Sequence, residues 1–196
     1  MANQRESPFI WVSWLSKVMA GEVSCHWQTW FQTHNQLTEK QPSDFNLANW
    51  KIKHTKLLTE LKEKLIEEKM SPLIEREIRY QIPESNTTIK GKIDCKIEKD
   101  DEIIVYDCKT GNERTSDQTQ VMIYMYLLSK KEDKKIKGKV IYNEREIEIN
   151  ELPKDFEEDF NYFINILASE NSPVKNPGSD CKFCDITKQD CPERED

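Results

Sequence analysis

Residues 91–111, GKIDCKIEKDDEIIVYDCKTG, decide the fold because they predict a β-hairpin. Residues 89–98 and 102–109 are rich in β-branched side chains, and the charged residues between them predict a turn. A turn of two or four residues would place Asp94 directly opposite Asp107, with Cβ atoms roughly 5 Å apart. Because like charges at that separation repel each other, the pair predicts a site for a divalent cation. A turn of three residues would instead move Asp94 to the opposite face.

Strand alternation adds a third member to this site. Asp107 and Lys109 share one face of the strand, while Cys108 between them points to the other. Two carboxylates beside an ammonium group can hold Mg²⁺ or Mn²⁺, orient a water and stabilise charge on a phosphate. Cys95 and Cys108 each adjoin one of these candidates, so we expect both to face the packed side. The alternative is a surface hairpin with scattered charges, in a chain that is 33% charged.

Composition bounds the class of protein. A chain of 196 residues with 36% hydrophobic content can bury one core, so we expect a single domain over residues 1–196. The sequence has no apolar run long enough for a membrane span and no secretion signal at its start, so we expect a soluble, cytoplasmic protein with no membrane contact. The net charge of −7 argues against indiscriminate nucleic-acid binding. Lysine-rich stretches at residues 51–64 and 130–139 leave room for a local nucleic-acid contact.

Periodicity predicts the remaining elements. Two short amphipathic helices are expected within residues 8–34, broken near Gly21, and a long helix over 45–70 is expected to be capped by Ser43 and Asp44. A strand at 73–82, the hairpin, a helix at 117–129 capped by Ser116, a second hairpin at 138–149 and a helix at 154–170 follow. This order predicts an α/β fold with a mixed sheet flanked by helices.

Cysteines concentrate near one end of the chain. Cys181, Cys184 and Cys191 lie within eleven residues, and a C-x-x-C pair lets two sulfurs converge on one metal. A fourth ligand is needed, and Cys25 is the candidate. Four thiolates suit either zinc or an iron-sulfur cluster, while His26 in place of Cys25 would give a zinc site with three cysteines. Disulfides are not expected without secretion.

These pieces together resemble the RecB-type branch of the PD-(D/E)xK nuclease superfamily, and most closely the small CRISPR-associated iron-sulfur exonucleases. Three motifs and a cysteine layout carry the resemblance. They are Gly-x-x-Asp at Gly91 and Asp94, Asp-x-Lys at Asp107 and Lys109, Gln-x-x-x-Tyr at Gln120 and Tyr124, and one early cysteine with three late ones, Cys25, Cys181, Cys184 and Cys191.

The resemblance implies a restriction-endonuclease-like core at residues 35–170, with residues 1–34 and 171–196 joined by an iron-sulfur site, 4Fe-4S with zinc as the alternative. It also implies roles for the site residues. His54, Asp94, Asp107 and the backbone carbonyl of Cys108 would hold Mg²⁺ or Mn²⁺; Asp94, Asp107 and Lys109 would be catalytic; Gln120 and Tyr124 would contact nucleic acid, with the Tyr124 ring available to a base or sugar. An acidic residue on the first strand is also typical, and Glu75 and Glu77 are equal candidates for it.

The function that the resemblance implies is a metal-dependent deoxyribonuclease acting on single-stranded DNA or frayed ends during spacer acquisition, alongside CRISPR adaptation proteins. One alternative is a repair or restriction nuclease of the RecB family that works with a separate helicase. A second alternative is a binding module, stabilised by a metal bound to its cysteines, that holds nucleic acid without cutting it.

Overall fold

The computed structural model describes residues 2–195, so Met1 and Asp196, the ends of the predicted single domain, lie outside the described residues. The strands and helices are, in chain order, β1 (Ala2–Gln4), β2 (Phe9–Trp11), α1 (Val12–Met19), α2 (His26–His34), β3 (Asn35–Leu37), α3 (Leu47–Glu67), β4 (Leu73–Ile82), β5 (Thr87–Glu98), β6 (Glu102–Cys108), α4 (Thr115–Ser129), β7 (Lys135–Ile141), β8 (Glu146–Ile149) and α5 (Phe156–Ala168). The chain forms two compact units. The terminal unit contains the residues up to 45, 80–90 and those from 157 onward, and the central unit contains 46–79 and 91–156.

The central unit is built on a mixed sheet. Strand β5 pairs antiparallel with β6, β6 pairs parallel with β7, and β7 pairs antiparallel with β8. Helix α3 packs its apolar stripe on one face of this sheet, in a core that contains Leu57, Leu58, Leu61, Leu65, Cys95, Ile97, Ile104, Tyr106, Cys108 and Ile141. The mixed α/β architecture and the packing role of Cys95 and Cys108 are therefore confirmed.

The central hairpin has the predicted register. Cys95 pairs with Tyr106 and Glu98 with Ile103, which leaves a four-residue loop closed by a 2.8 Å hydrogen bond from the Lys99 amide to the Glu102 carbonyl. One step beyond the Cys95 pair, this register sets Asp94 opposite Asp107. The charged turn therefore fixes which acidic side chains face each other.

The capping residues predicted for helices α3 and α4 are wrong. Helix α3 begins at Leu47, and the Asn46 side chain caps it by accepting a 2.9 Å hydrogen bond from the Asn49 amide. Helix α4 begins at Thr115, so Ser116 lies inside its first turn. The Asp117 carboxylate closes that turn by accepting a 3.1 Å hydrogen bond from the Arg114 amide.

The terminal unit contains β1 to β3, α1 and α2. Residues Phe9–Trp11, predicted as the start of a helix, form a strand that pairs in parallel with the beginning of β5, Phe9 lying opposite Thr88. The two predicted helices follow as α1 and α2, separated near Gly21, where φ is +70°. Strand β1 pairs antiparallel with β3. Within residues 2–195, no helix combines the length and apolar character needed to cross a membrane.

Candidate active site

Asp94 lies at the centre of the predicted site, with 8% of its surface exposed. Its Oδ2 atom accepts a 2.8 Å hydrogen bond from the Cys108 amide on the neighbouring strand and lies 3.1 Å from Nε2 of His54 on α3. The hydrogen bond to Asp94 raises the pKa of His54; burial opposes this shift, and the charges of Asp94 and Asp107 add to it. The structure thus brings together His54, Asp94 and Cys108, three residues that the resemblance groups, and the contact of Cys108 with Asp94 is through its amide.

Asp107 is more deeply buried, with 2% of its surface exposed. Its Oδ1 atom accepts a 2.9 Å hydrogen bond from the Gln120 amide. Its Oδ2 atom lies 2.8 Å from the Lys109 ammonium, but the contact lacks hydrogen-bond alignment, and no other donor among residues 2–195 bonds this oxygen. Burial raises the pKa of Asp107 to about 6, and the charge of Asp94 adds to that shift while Lys109 opposes it.

Lys109 joins the two strand carboxylates to helix α4. Its Nζ atom donates a 3.1 Å hydrogen bond to Oε1 of Gln120 and lies 3.8 Å from Oδ1 of Asp117. Burial alone would lower the pKa of Lys109, but the negative charges of Asp107, Asp117 and Asp94 outweigh it and raise the pKa. Lys109 therefore stays a cation at neutral pH.

Gln120 and Tyr124 lie one helical turn apart on α4 and contact each other. The Gln120 amide donates a 3.2 Å hydrogen bond to the Tyr124 hydroxyl, which in turn donates a 3.0 Å hydrogen bond to the Lys92 carbonyl. Tyr124 is only 2% exposed, so its ring offers no face to a base, contrary to the expected availability for stacking. Its hydroxyl instead holds the Gln120 amide against Asp107. Direct contact of either residue with nucleic acid stays a prediction.

Asp117 is a site residue that the sequence reading missed. It is 8% exposed, and its Oδ2 atom accepts a 2.9 Å hydrogen bond from the Tyr142 hydroxyl in addition to the bond from Arg114. The available signal was an acidic residue in the first turn of the helix that follows the Asp-x-Lys motif.

Of the two acidic candidates on β4, Glu75 pairs with Lys92 at 2.7 Å and has a left-handed backbone, with φ at +52°.

The four predicted cluster ligands all lie in the terminal unit. Cys25, Cys181, Cys184 and Cys191 are free thiols that line one small cavity of about 20 Å³ together with Trp27, Gln28, Lys175, Pro177, Asp180, Ile186 and Arg194. The Asn176 amide donates to the Cys25 sulfur at 3.4 Å, and the Gly178 amide donates to the Cys181 sulfur at 3.5 Å. His26 instead contacts the Phe163 ring edge-on, with centroids 5.7 Å apart. Within residues 2–195, no three His, Cys, Asp or Glu side chains are placed to hold a metal ion as they stand.

Comparison with known proteins adds two findings. A family model described as the PD-(D/E)XK nuclease superfamily matches residues 15–189. The crystal structure of SSO0001 is similar in fold, with a TM-score of 0.55 and 21% sequence identity over 98% of this chain and 90% of that one. A search of curated proteins gave no match.

Proposed function

Since this chain belongs to the PD-(D/E)XK nuclease superfamily, we propose that it is a metal-dependent deoxyribonuclease with Asp94, Asp107 and Lys109 as its catalytic residues. The observation that carries the proposal is the environment of Asp107. A carboxylate that is 2% exposed keeps one oxygen without an aligned hydrogen-bond donor, beside a lysine ammonium and a second carboxylate on the adjacent strand. Two buried carboxylates on adjacent strands are costly in a purely structural site, because like charges repel each other and each loses contact with water.

The donor types present suit a hard divalent cation, and metal binding would have to draw His54, Asp94 and Asp107 together. Mg²⁺ and Mn²⁺ prefer oxygen ligands, and Asp107 has an oxygen next to Asp94 that, in the described part of the chain, is paired only with the Lys109 ammonium. We assign His54, Asp94, Asp107 and the Cys108 carbonyl to holding the ion. A bound divalent cation supplies Lewis acidity toward the phosphate and lowers the pKa of a bound water.

The chain's own residues supply positioning and charge. Lys109 sets a positive charge beside Asp107, where negative charge builds up on the phosphate during hydrolysis. Gln120 bonds both Asp107 and Lys109, so its amide fixes the separation of the carboxylate and the ammonium. Tyr124 holds Gln120 in turn through its hydroxyl. This chain of contacts keeps the catalytic groups in one geometry before substrate arrives.

We further propose that the four cysteines hold an iron-sulfur cluster, 4Fe-4S with zinc as the alternative. The support is the shared pocket and the amide hydrogens donated to two of the sulfurs, a contact that tunes iron-sulfur centres. Metal binding would have to draw the thiols together, as it does where a site and its fold form jointly. The cluster would tie Cys25 to the cysteine-rich end of the chain, so its role is structural.

The finer substrate assignment rests on the resemblance of the motifs. We propose single-stranded DNA or frayed ends as the substrate and spacer acquisition, with CRISPR adaptation proteins as partners, as the setting. A repair or restriction nuclease working with a separate helicase shares the same catalytic residues, so gene neighbourhood distinguishes the two.

Degradation of end-labelled single-stranded DNA in the presence of Mn²⁺ tests the nuclease activity. We expect Asp107→Asn and Lys109→Met each to abolish cleavage. Asp100→Asn, in the exposed turn of the same hairpin, and Lys154→Met, an exposed lysine outside both lysine-rich stretches, are the matched controls and should cut normally. Cleavage that persists in either active-site variant would reject the assigned residues, and a protein that binds DNA without cutting it would be the non-catalytic module.

A further inference from the structure

The N-terminal turns of α3 connect the surface of the central unit to the catalytic carboxylates. Trp50 lies one helical turn before His54, and their rings stack with centroids 5.0 Å apart and an interplanar angle of 29°. His54 is in turn 3.1 Å from Asp94. The His54 ring therefore lies between Trp50 and Asp94, one of the proposed metal ligands.

Trp50 belongs to the apolar stripe of α3 but does not share the burial of that stripe. Farther along the helix, Leu57, Leu58, Leu61 and Leu65 are each less than 10% exposed. At the N-terminal end of the same stripe, Leu47 is 52% exposed and Trp50 is 39% exposed. The stripe thus emerges from the core beside the active site and presents an aromatic ring to the surface there.

The charges around this ring favour a nucleic-acid strand as its partner. Lys51 and Lys53 are exposed on the same turns, and the sequence from residue 46 to residue 59 contains no acidic side chain. This local positive charge contrasts with the net charge of −7 for the whole chain. An aromatic ring flanked by cations is the arrangement with which proteins hold single strands, because bases stack on the ring while lysines contact phosphates.

We propose that Trp50 is a nucleobase-stacking residue that positions the substrate strand beside the catalytic carboxylates, an inference that rests on the proposed nuclease function. A base on Trp50 sets the strand at a fixed distance from Asp94, through His54. Lys51 and Lys53 contact the adjoining phosphates. Since a base inside a duplex already stacks on its neighbours, this contact favours unpaired strands and accounts for a single-strand preference in terms of this chain's own residues.

Binding to a protein that cannot cut separates this proposal from the nuclease proposal. In an Asp107→Asn background with EDTA, we compare a short fluorescein-labelled oligo-dT with an abasic oligomer of the same length by fluorescence anisotropy. Trp50→Ala should weaken oligo-dT binding at least about fivefold, the lower bound for one stacked base, and leave abasic binding unchanged. Trp50→Phe should retain most of the affinity. Ile66→Ala, which removes an exposed apolar side chain from the last turn of α3, should change neither.

Two results would overturn the stacking role. The first is unchanged oligo-dT binding by the Trp50→Ala protein. The second is an equal loss of binding for oligo-dT and the abasic oligomer, which would indicate a disturbed fold or backbone contact rather than a lost stack. If the unmutated protein cleaves no DNA but its oligo-dT binding still depends on Trp50, the stacking role stands and only the catalytic assignment fails.

Discussion

Gly138→Ala should disturb the packing that sets α4, and with it Gln120, against the catalytic strands. Gly138 is a buried residue of β7. A Cβ atom at this position would overlap Cγ1 of Val121 and lie 2.8 Å from Sδ of Met125, both on α4. Met125 can rotate away, but Val121 is β-branched and stiff, so the helix itself must move outward.

The free energy of unfolding should fall by about 1–3 kcal/mol, the usual cost of an overpacked core. Alanine also restricts the unfolded chain more than glycine does, which offsets roughly several tenths of a kcal/mol of this loss. For a chain of this length, each kcal/mol lowers Tm by about 2–4 °C. Urea unfolding followed by circular dichroism measures the loss. Gly111→Ala is the control, because an added Cβ there meets nothing within 4 Å. Activity should fall as well, since Gln120 moves with α4.

A double variant tests whether overlap with Val121 causes the loss of stability in Gly138→Ala. Val121→Ala alone leaves a cavity and should cost about 2 kcal/mol, because buried methyl groups are lost. Combined with Gly138→Ala, the new methyl group takes up part of that space, so the pair should be more stable than the sum of the single effects by about 1 kcal/mol or more. Additive effects, or a Gly138→Ala protein as stable as the unmutated one, would refute the packing argument.

Four further predictions follow from the two sites. Burial raises the pKa of Asp107 to about 6 and the hydrogen bond to Asp94 raises the pKa of His54 above its usual 6.5, so protons compete with the metal at both assigned ligands; Mn²⁺ affinity measured by calorimetry should fall as the pH is lowered through neutrality and fall more steeply below pH 6, and a flat profile would contradict this. Lys109→Met should abolish detectable cleavage, a loss of at least about 100-fold in rate, while Mn²⁺ still binds, so a loss of metal binding in calorimetry would assign Lys109 a different role. Tyr142→Phe removes the hydrogen bond to buried Asp117 and should cost about 1–2 kcal/mol in urea unfolding, whereas an unchanged midpoint would show that water replaces the hydroxyl. Cys184→Ala should give a colourless, poorly folded protein by absorption and circular dichroism, in contrast to a brown parent; a soluble, stable and fully active variant would argue against the cluster.

The sequence predicted the central hairpin well because its information is local. Alternating β-branched residues and a charged turn place the two strands, and the four-residue turn of the structure selects between the registers that the sequence left open. The Gln-x-x-x-Tyr pair on α4 was found through the family resemblance, and its helical spacing agrees with α4. Whether those side chains perform the assigned chemistry stays a prediction.

The misjudged features depend on distant partners. Residues Phe9–Trp11 form a strand only because they pair with β5, which lies far along the chain, and their own pattern fits a helix equally well. The Trp50 side chain continues an apolar stripe, and nothing in the sequence indicates that this stripe extends past the core. Asp117 becomes a partner of Lys109 only when α4 has packed, so its role could not be read from its neighbours.

Cys108 connects the proposed catalytic centre to the packed interior of the central unit. Its side chain belongs to the core under α3, while its amide bonds to Asp94 and its chain neighbours are Asp107 and Lys109. Asp94 and Asp107 thus lie on strands of the core rather than on a loop. Thermal inactivation should therefore coincide with unfolding of the whole central unit. Variants selected for activity at low temperature would have to weaken the packing of the core itself.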